Sequence, residues 1–212
     1  MSGAVIVQWA RRLLWGLSVC IVFVPFALAA ASPLQAARES VYIAGALAGV
    51  LALSLLFVQP LLAAGFLPGI SPSRERRWHR WLGGALLLTV ALHVIGLYLA
   101  SPDDMLDALL LVAPTPFSLY GVIALWAVVL IALSAILRSR ARAHLAMWNR
   151  IHSLLAVIVV GSSLVHVWMI DGSMNSLSKT VTCISIALAA LAATIYRQWI
   201  KPTSRRSIAG KA

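Results

Sequence analysis

Charged residues are scarce in this chain. They make up 11% of its 212 residues, whereas 61% of the residues are apolar. A soluble domain keeps roughly a quarter of its residues charged, so this deficit indicates that lipid is the solvent. The apolar runs also lack the alternation of period two that marks the strands of a membrane β-barrel. The composition therefore predicts an all-α integral membrane protein.

Acidic residues are rarer still, with six Asp and Glu against 17 Lys and Arg and a net charge of +11. The basic residues form short clusters at the ends of apolar runs, as membrane topology requires. They form no stripe interleaved with aromatic residues, so nucleic-acid binding is set aside and membrane lipid is the expected surrounding.

Cysteine is nearly absent, and its two occurrences, Cys20 and Cys183, each lie inside an apolar run. Neither has a partner at metal or redox spacing, and no C-x-x-C-H motif indicates covalently attached haem. Two small buried hydrophobic side chains are the preferred interpretation.

Six apolar segments can be recognised, each close to the length of about 20 residues that a membrane-spanning helix needs. Turn residues such as Pro33, Pro114 and Asp171-Gly172 separate them. The sequence predicts one bundle of six transmembrane helices over residues 1–212, with no convincing internal repeat and no soluble domain. Any flavin- or nucleotide-binding module is then expected on another polypeptide. The segments run over approximately 13–31, 41–67, 78–100, 117–137, 149–170 and 180–200.

Lysine and arginine are divided unequally between the two sides of the predicted bundle. The opposite loops hold Arg38 and Lys179 together with Glu39, Asp103, Asp104, Asp107 and Asp171. By the positive-inside rule both termini are cytoplasmic, and the bacterial inner membrane is the expected location. The cytoplasmic clusters are Arg11 and Arg12; Arg74, Arg76, Arg77 and Arg80; Arg138, Arg140, Arg142 and Arg150; and Arg197, Lys201, Arg205, Arg206 and Lys211.

The first apolar segment admits a second interpretation. Arg11 and Arg12, the apolar run and the small residues ALAAAS also resemble a secretory signal peptide with its cleavage site. The run is longer than the roughly 7–15 residues usual for such a peptide, so we favour a retained helix. Cleavage would leave the orientation of the later helices unchanged.

Four histidines lie within two of the predicted helices. His79 and His93 lie on the third helix and His152 and His166 on the fifth, 14 positions apart in each case. At this spacing the two histidines of one helix share a face and lie roughly 21 Å apart. Both helices run outwards in the predicted topology. His79 and His152 therefore form an inner pair, and His93 and His166 an outer pair.

Two imidazole pairs stacked across a membrane are the ligand arrangement of two six-coordinate haems. Histidine is a common axial ligand of haem iron, and ionisable residues inside a membrane are costly and usually functional. The competing interpretation is that each histidine only bonds a neighbouring carbonyl or hydroxyl group; it does not account for the matched spacing and depth. The sequence predicts that both pairs bind iron, giving two b-type haems that pass electrons across the membrane.

Residues near the histidines have two interpretations each. Arg80 and Arg150 could pair with the propionates of the inner haem, or they could only anchor the helices at the cytoplasmic surface; the sequence favours neither. Gly83 and Gly96 would leave room for a flat macrocycle, or would allow close helix packing. His144 is expected to be solvated in a loop. Trp78, Trp81, Trp148 and Trp168 are expected at the membrane interfaces.

The sequence resembles the ferric reductase-like transmembrane domain over about residues 41–170. The resemblance rests on WHRWLG at 78–83 with His93 following, PFSLYG at 116–121, Ser134, and WNRIH at 148–152 with His166 following. This family includes ferric reductases, NADPH oxidases and the haem-binding membrane subunit of a bacterial methionine sulfoxide reductase system. The resemblance implies haem ligation by His79 with His152 and by His93 with His166, and electron flow from cytoplasmic flavin to the outer face.

These observations predict an oxidoreductase or its electron-transfer membrane subunit. The expected donor is a cytoplasmic flavin reductase, which would carry the flavin as a separate partner, or a quinol. The expected acceptor lies at the outer face: a ferric chelate, oxygen or a periplasmic redox protein. A quinol-linked cytochrome b subunit of a periplasmic reductase complex is the alternative. A haem-free helical scaffold or transporter is a further alternative of another class, although transporters usually show broken helices.

Overall fold

A computed structural model describes residues 3–138 and 145–197 of the chain. Within these ranges all regular secondary structure is helical. The predicted loop residue His144 and several residues of the predicted cytoplasmic clusters lie outside the described residues: Arg140, Arg142, Lys201, Arg205, Arg206 and Lys211.

Six long α-helices and one short α-helix follow one another along the described chain, with a single 3-10 turn at Pro33–Gln35 between the first two. The six long helices are long and apolar enough to cross a membrane, which confirms the predicted fold class and makes this a multi-pass membrane protein. Their orientation in the membrane stays a prediction. The helices are α1 (Gly3–Ala30), α2 (Ser40–Ala64), α3 (Pro72–Ala100), α4 (Pro102–Leu109), α5 (Pro116–Arg138), α6 (Leu145–Met169) and α7 (Ser176–Ile195).

Local sequence signals set the ends of several helices. Asn175 caps α7, since its side-chain oxygen accepts a hydrogen bond of 2.7 Å from the backbone N–H of Ser178. Gly65 ends α2 in the left-handed conformation, at a φ of 80°, which glycine adopts without steric cost. Pro72 begins α3, where its fixed φ suits the first helical position. The helix therefore starts at Pro72 rather than at the predicted residue 78.

The short helix α4 was not predicted. The sequence Ser101-Pro102 reads equally as a turn and as the start of a helix, and here Pro102 occupies the first helical position. Eight residues are too few to cross a membrane. The helix α4 therefore lies in the connection between α3 and α5, within the loop that was predicted to face outwards.

The helix α2 is the centre of the bundle. It packs against α1, α3 and α7, while α6 packs against α5 and α7. In the most apolar stretch of α2, 44% of the residues are buried, against 6% for α3 and 6% for α6. The two histidine-bearing helices are thus the least covered by other helices. Within the described residues they are not among the helix pairs that pack closely on each other.

The first helix takes part in this packing. Ser18, Ile21 and Ala29 of α1 are buried. The indole N–H of Trp15 donates a hydrogen bond of 3.2 Å to the carbonyl oxygen of Pro68, and its ring contacts that of Trp78 edge to face. The helix α1 therefore packs as part of the bundle, next to the turn of α3 that carries His79.

Candidate functional site

The inner pair meets across the gap between α3 and α6. The ring centres of His79 and His152 lie 6.2 Å apart, and their planes make an angle of 69°. The Nδ1 atom of His79 is buried and makes no hydrogen bond of good geometry to a described residue, although the backbone of Gln59 on α2 interacts favourably with its imidazole. His79 and His152, which the sequence predicted to lie at the same depth, thus have side chains that face each other.

An aromatic stack orients one member of the inner pair. The indole of Trp148 lies one helical turn before His152 and stacks on its imidazole, with ring centres 4.9 Å apart and planes at 20°. The indole N–H donates a hydrogen bond of 3.2 Å to the carbonyl oxygen of Ser134 on α5. Trp148 therefore links His152 to the neighbouring helix, a role beyond the interfacial one expected from the sequence.

The outer pair is held by backbone carbonyl groups. His93 Nδ1 lies 2.8 Å from the carbonyl oxygen of Gly45 on α2, and His166 Nδ1 lies 2.8 Å from that of Phe117 on α5. A carbonyl oxygen only accepts hydrogen bonds, so both Nδ1 atoms carry the proton. In the neutral imidazole the Nε2 atom then keeps its lone pair, the state in which histidine binds metal.

Two glycines lie directly against the rings of the outer pair. A Cβ atom on Gly49 would lie 2.7 Å from His93 Nδ1, and one on Gly121 would lie 2.8 Å from both Nδ1 and Cε1 of His166. These distances are far below ordinary contacts of about 3.5–4 Å. Each ring therefore occupies space that the side chain of any other residue would fill.

The donor set fits a haem iron better than a free metal ion. Among the described residues no three His, Cys, Asp or Glu side chains form a cluster that could hold a metal ion, whereas a haem needs only two axial ligands from protein. Metal–imidazole bonds of about 2 Å leave room for one iron between two ring centres that are 6.2 Å apart. The buried Nδ1 of His79 and the glycine-backed rings of the outer pair agree with this assignment.

The two arginines predicted near the inner haem are exposed. Arg80 directly follows His79 and lines a groove of about 330 Å³ with Trp81 and Gly84. Arg150 precedes His152 by two positions. Successive helical residues are turned by about 100°, so neither arginine shares the face of its histidine. A contact with propionate groups stays a prediction.

Several residues of the site were not predicted, although the sequence carried signals for them. Gly45 and Gly49 form a G-x-x-x-G pattern, which marks close helix packing in membranes. Gly45 meets Gly96 of α3, where an added Cβ would lie 2.6 Å from the Gly45 Cα. Gly96 therefore allows close helix packing rather than providing space for a macrocycle. Phe117 and Gly121 lie inside the PFSLYG motif.

Comparison with known proteins gives one match. The family model described as "Ferric reductase like transmembrane component" matches residues 48–163, more than half of the chain. The match spans α3 to α5 together with most of α2 and α6. It includes His79, His93 and His152, and ends three residues before His166. No curated protein and no solved structure matches the chain.

Proposed function

Because the chain belongs to the family of ferric reductase-like transmembrane components, we propose that it is a diheme b-type cytochrome of the bacterial inner membrane. Family membership indicates a membrane electron-transfer subunit. In the proposed reaction, a cytoplasmic flavoprotein or a quinol delivers electrons one at a time, and an acceptor at the outer face receives them. His79 with His152 binds the inner haem, and His93 with His166 the outer haem.

The observation that carries the proposal is the inner pair. Two imidazoles from different helices face each other at 6.2 Å, in a protein where they are surrounded by apolar segments. Burying two ionisable groups in a membrane is costly unless a function requires them. Two histidines that only satisfied neighbouring carbonyl groups would not need to meet. Coordination of one iron by both imidazoles accounts for the burial of the two histidines and for their facing each other.

The separation of the two pairs supports a relay. Fourteen helical positions correspond to roughly 21 Å between histidines of one helix, so two haems would lie near opposite faces of the membrane. Haem supplies the one-electron chemistry when bound, and the protein supplies ligation, orientation and a dry surround.

Exposed arginines support a cytoplasmic donor. Arg74, Arg76 and Arg77 are exposed at the start of α3, two to five residues before His79. Such a cluster attracts acidic protein surfaces and steers their approach. A flavin reductase with an acidic docking face could thus be brought near the inner pair. The same arginines also serve as membrane anchors.

A quinol donor would need a pocket that reaches a histidine. An apolar groove of about 340 Å³ lies between α6 and α7, lined in part by Val165, Trp168 and Cys183. Val165 and Trp168 are turned by about 100° and 200° from His166 around the helix, whereas Met169, which also lines the groove, lies three positions after His166 and borders its face. The choice between the two donors is made by experiment.

The test is the visible spectrum of the purified full chain, oxidised and reduced with dithionite, with haem measured per chain. We expect sharp b-type bands and two haems. One haem would mean that one histidine pair is structural and that the relay needs another carrier. A colourless protein, despite haem supplied during expression, would overturn the proposal and favour the haem-free scaffold or transporter.

The donor is identified on the same preparation. Reduction of the haems is followed after addition of a short-chain quinol, or of NADH with a flavin reductase, in the absence of oxygen. Reduction by the flavin reductase alone supports the proposed donor. Reduction by the quinol alone assigns the chain to the quinol-linked class.

A further inference from the structure

The two outer histidines lie in equivalent settings on two helical hairpins. On the hairpin α2–α3, His93 Nδ1 donates to the Gly45 carbonyl; on the hairpin α5–α6, His166 Nδ1 donates to the Phe117 carbonyl. In each case the acceptor belongs to the first helix of the hairpin and the histidine to the second. The two hydrogen bonds have the same length, 2.8 Å.

The equivalence extends to the glycines. Gly49 follows Gly45 by four positions, and Gly121 follows Phe117 by four positions. Residues four apart lie one above the other on a helix face. Each glycine therefore lies directly beside the ring whose Nδ1 bonds the carbonyl one turn earlier. A Cβ at either position would come within 2.8 Å of its ring.

We infer that Gly49 and Gly121 are positioning residues that hold the outer histidines in the Nδ1-protonated tautomer with Nε2 directed to the haem iron. This inference rests on the proposed function. Each histidine ring must come close to a main-chain carbonyl to make its hydrogen bond. A side chain at residue 49 or 121 would occupy the space that the ring needs for this approach, and only glycine leaves that space free.

Among the described residues the glycine device belongs to the outer pair, since no glycine Cβ would meet the ring of His79 or His152. In the inner pair, the imidazole of His79 has the backbone of Gln59 beside it without a hydrogen bond of good geometry at Nδ1, and His152 is oriented by the stacked indole of Trp148. Hydrogen bonding at the second ring nitrogen raises the basicity of a metal-bound imidazole. A change at Gly49 or Gly121 should therefore alter the outer haem and leave the inner haem as it is.

The experiment compares the variants Gly49→Ala and Gly121→Ala with Gly161→Ala in the full-length protein. Gly161 lies on α6, the helix of His166, and a Cβ there meets no atom within 4 Å. Haem content, the low-spin electron paramagnetic resonance signals and the two midpoint potentials are measured. We expect the first two variants to lose the outer haem, or to keep it with a shifted signal and a raised potential. The inner haem and the control variant should match the wild type.

A second pair of variants separates positioning from simple packing. In His93→Gly the ring that a Cβ on residue 49 would meet is absent. If Gly49→Ala acts through the ring of His93, it should lower the thermal unfolding midpoint in detergent in the wild-type background and leave it unchanged in the His93→Gly background. A loss of stability that persists in His93→Gly/Gly49→Ala would show that Gly49→Ala disturbs the helix packing, and would overturn the inference.

The two levels of the proposal fail in different ways. A wild-type protein without haem overturns the proposed function before any variant is made. A wild-type protein with two haems, whose Gly49→Ala and Gly121→Ala variants keep unchanged signals and potentials, overturns the positioning role alone.

Discussion

The indole of Trp148 stacks on the imidazole of His152 while its N–H bonds the carbonyl oxygen of Ser134. One side chain thus joins a proposed haem ligand on α6 to the main chain of α5. A stacked aromatic pair is worth about 1 kcal/mol, enough to select one orientation of the histidine ring without deciding whether the bundle folds.

Replacement of Trp148 should therefore change the inner haem selectively. We expect Trp148→Ala to shift the electron paramagnetic resonance signal and midpoint potential of the inner haem, because the His152 ring loses its stacked neighbour. Trp148→Phe, which keeps an aromatic ring there, should show a smaller shift. Trp126→Ala is the control, since Trp126 is 57% exposed on α5. Identical spectra for all three variants would show that the stack does not orient the ligand.

The four histidines should fall into two functional pairs. We expect His93→Ala and His166→Ala each to remove the outer haem, and His79→Ala and His152→Ala each to remove the inner one, because an iron with a single protein ligand is held weakly. The measurement is haem per chain, with potentiometry to identify the haem that stays. His144→Ala should keep both haems. Loss of different haems from His93→Ala and His166→Ala would contradict the pairing.

The contact between Gly45 and Gly96 should limit the stability of the α2–α3 hairpin. A Cβ on residue 96 would lie 2.6 Å from the Gly45 Cα, so Gly96→Ala must push the two helices apart. Overpacking of this kind costs about 1–3 kcal/mol. Thermal unfolding in detergent, followed by circular dichroism, should show a lower midpoint than for Gly84→Ala, where a Cβ meets no atom within 4 Å. Equal midpoints would refute this expectation.

Lys179 should stabilise the end of α6 through carbonyl groups rather than through its ion pair. Its ammonium donates to the carbonyl oxygens of Ile170 at 2.9 Å and Trp168 at 3.4 Å. Asp171, 3.9 Å away, is fully exposed, and such surface ion pairs contribute little. We expect Lys179→Met to destabilise the protein by about 1–2 kcal/mol and Asp171→Asn to have little effect. Denaturant unfolding in detergent distinguishes them, and a larger loss for Asp171→Asn would reverse the assignment.

The predicted topology can be tested with reporter fusions. Alkaline phosphatase, which is active only outside the cytoplasm, should be active when fused after Asp107 and inactive when fused after Ala212. A fluorescent protein that folds in the cytoplasm should give the opposite result at both positions. The basic clusters on the side of the termini are the physical reason. The reverse pattern would exchange the inner and outer pairs.

The six membrane helices could be predicted because a helix that spans lipid must be apolar along one continuous stretch of sequence. An apolar run of sufficient length is visible without knowledge of the fold. The same criterion placed the start of α3 too late, since Arg74, Glu75 and Arg76 are helical but not apolar. It also missed α4, whose eight residues carry three acidic side chains.

The sequence predicted that His79 and His152 lie at the same depth, from the spacing of the histidines and the common direction of their two helices. It did not predict which groups contact His93 and His166, because helical periodicity shows which residues share a face and not which helix covers that face. Gly49 and Gly121 could be seen as glycines in helices. Their contact with His93 and His166 depends on the hairpin packing, which only the structure provides.

The hydrogen bonds of the outer histidines also bear on the order of assembly. Each bond closes within one hairpin, between helices that are consecutive among the membrane spans and leave the ribosome one after the other. His93 and His166 can therefore each be oriented while the two hairpins are still apart in the bilayer. Contact between His79 and His152 has to wait until α3 and α6 come together. The two outer histidines can thus be oriented before the bundle closes, whereas the inner histidines meet only once it has closed.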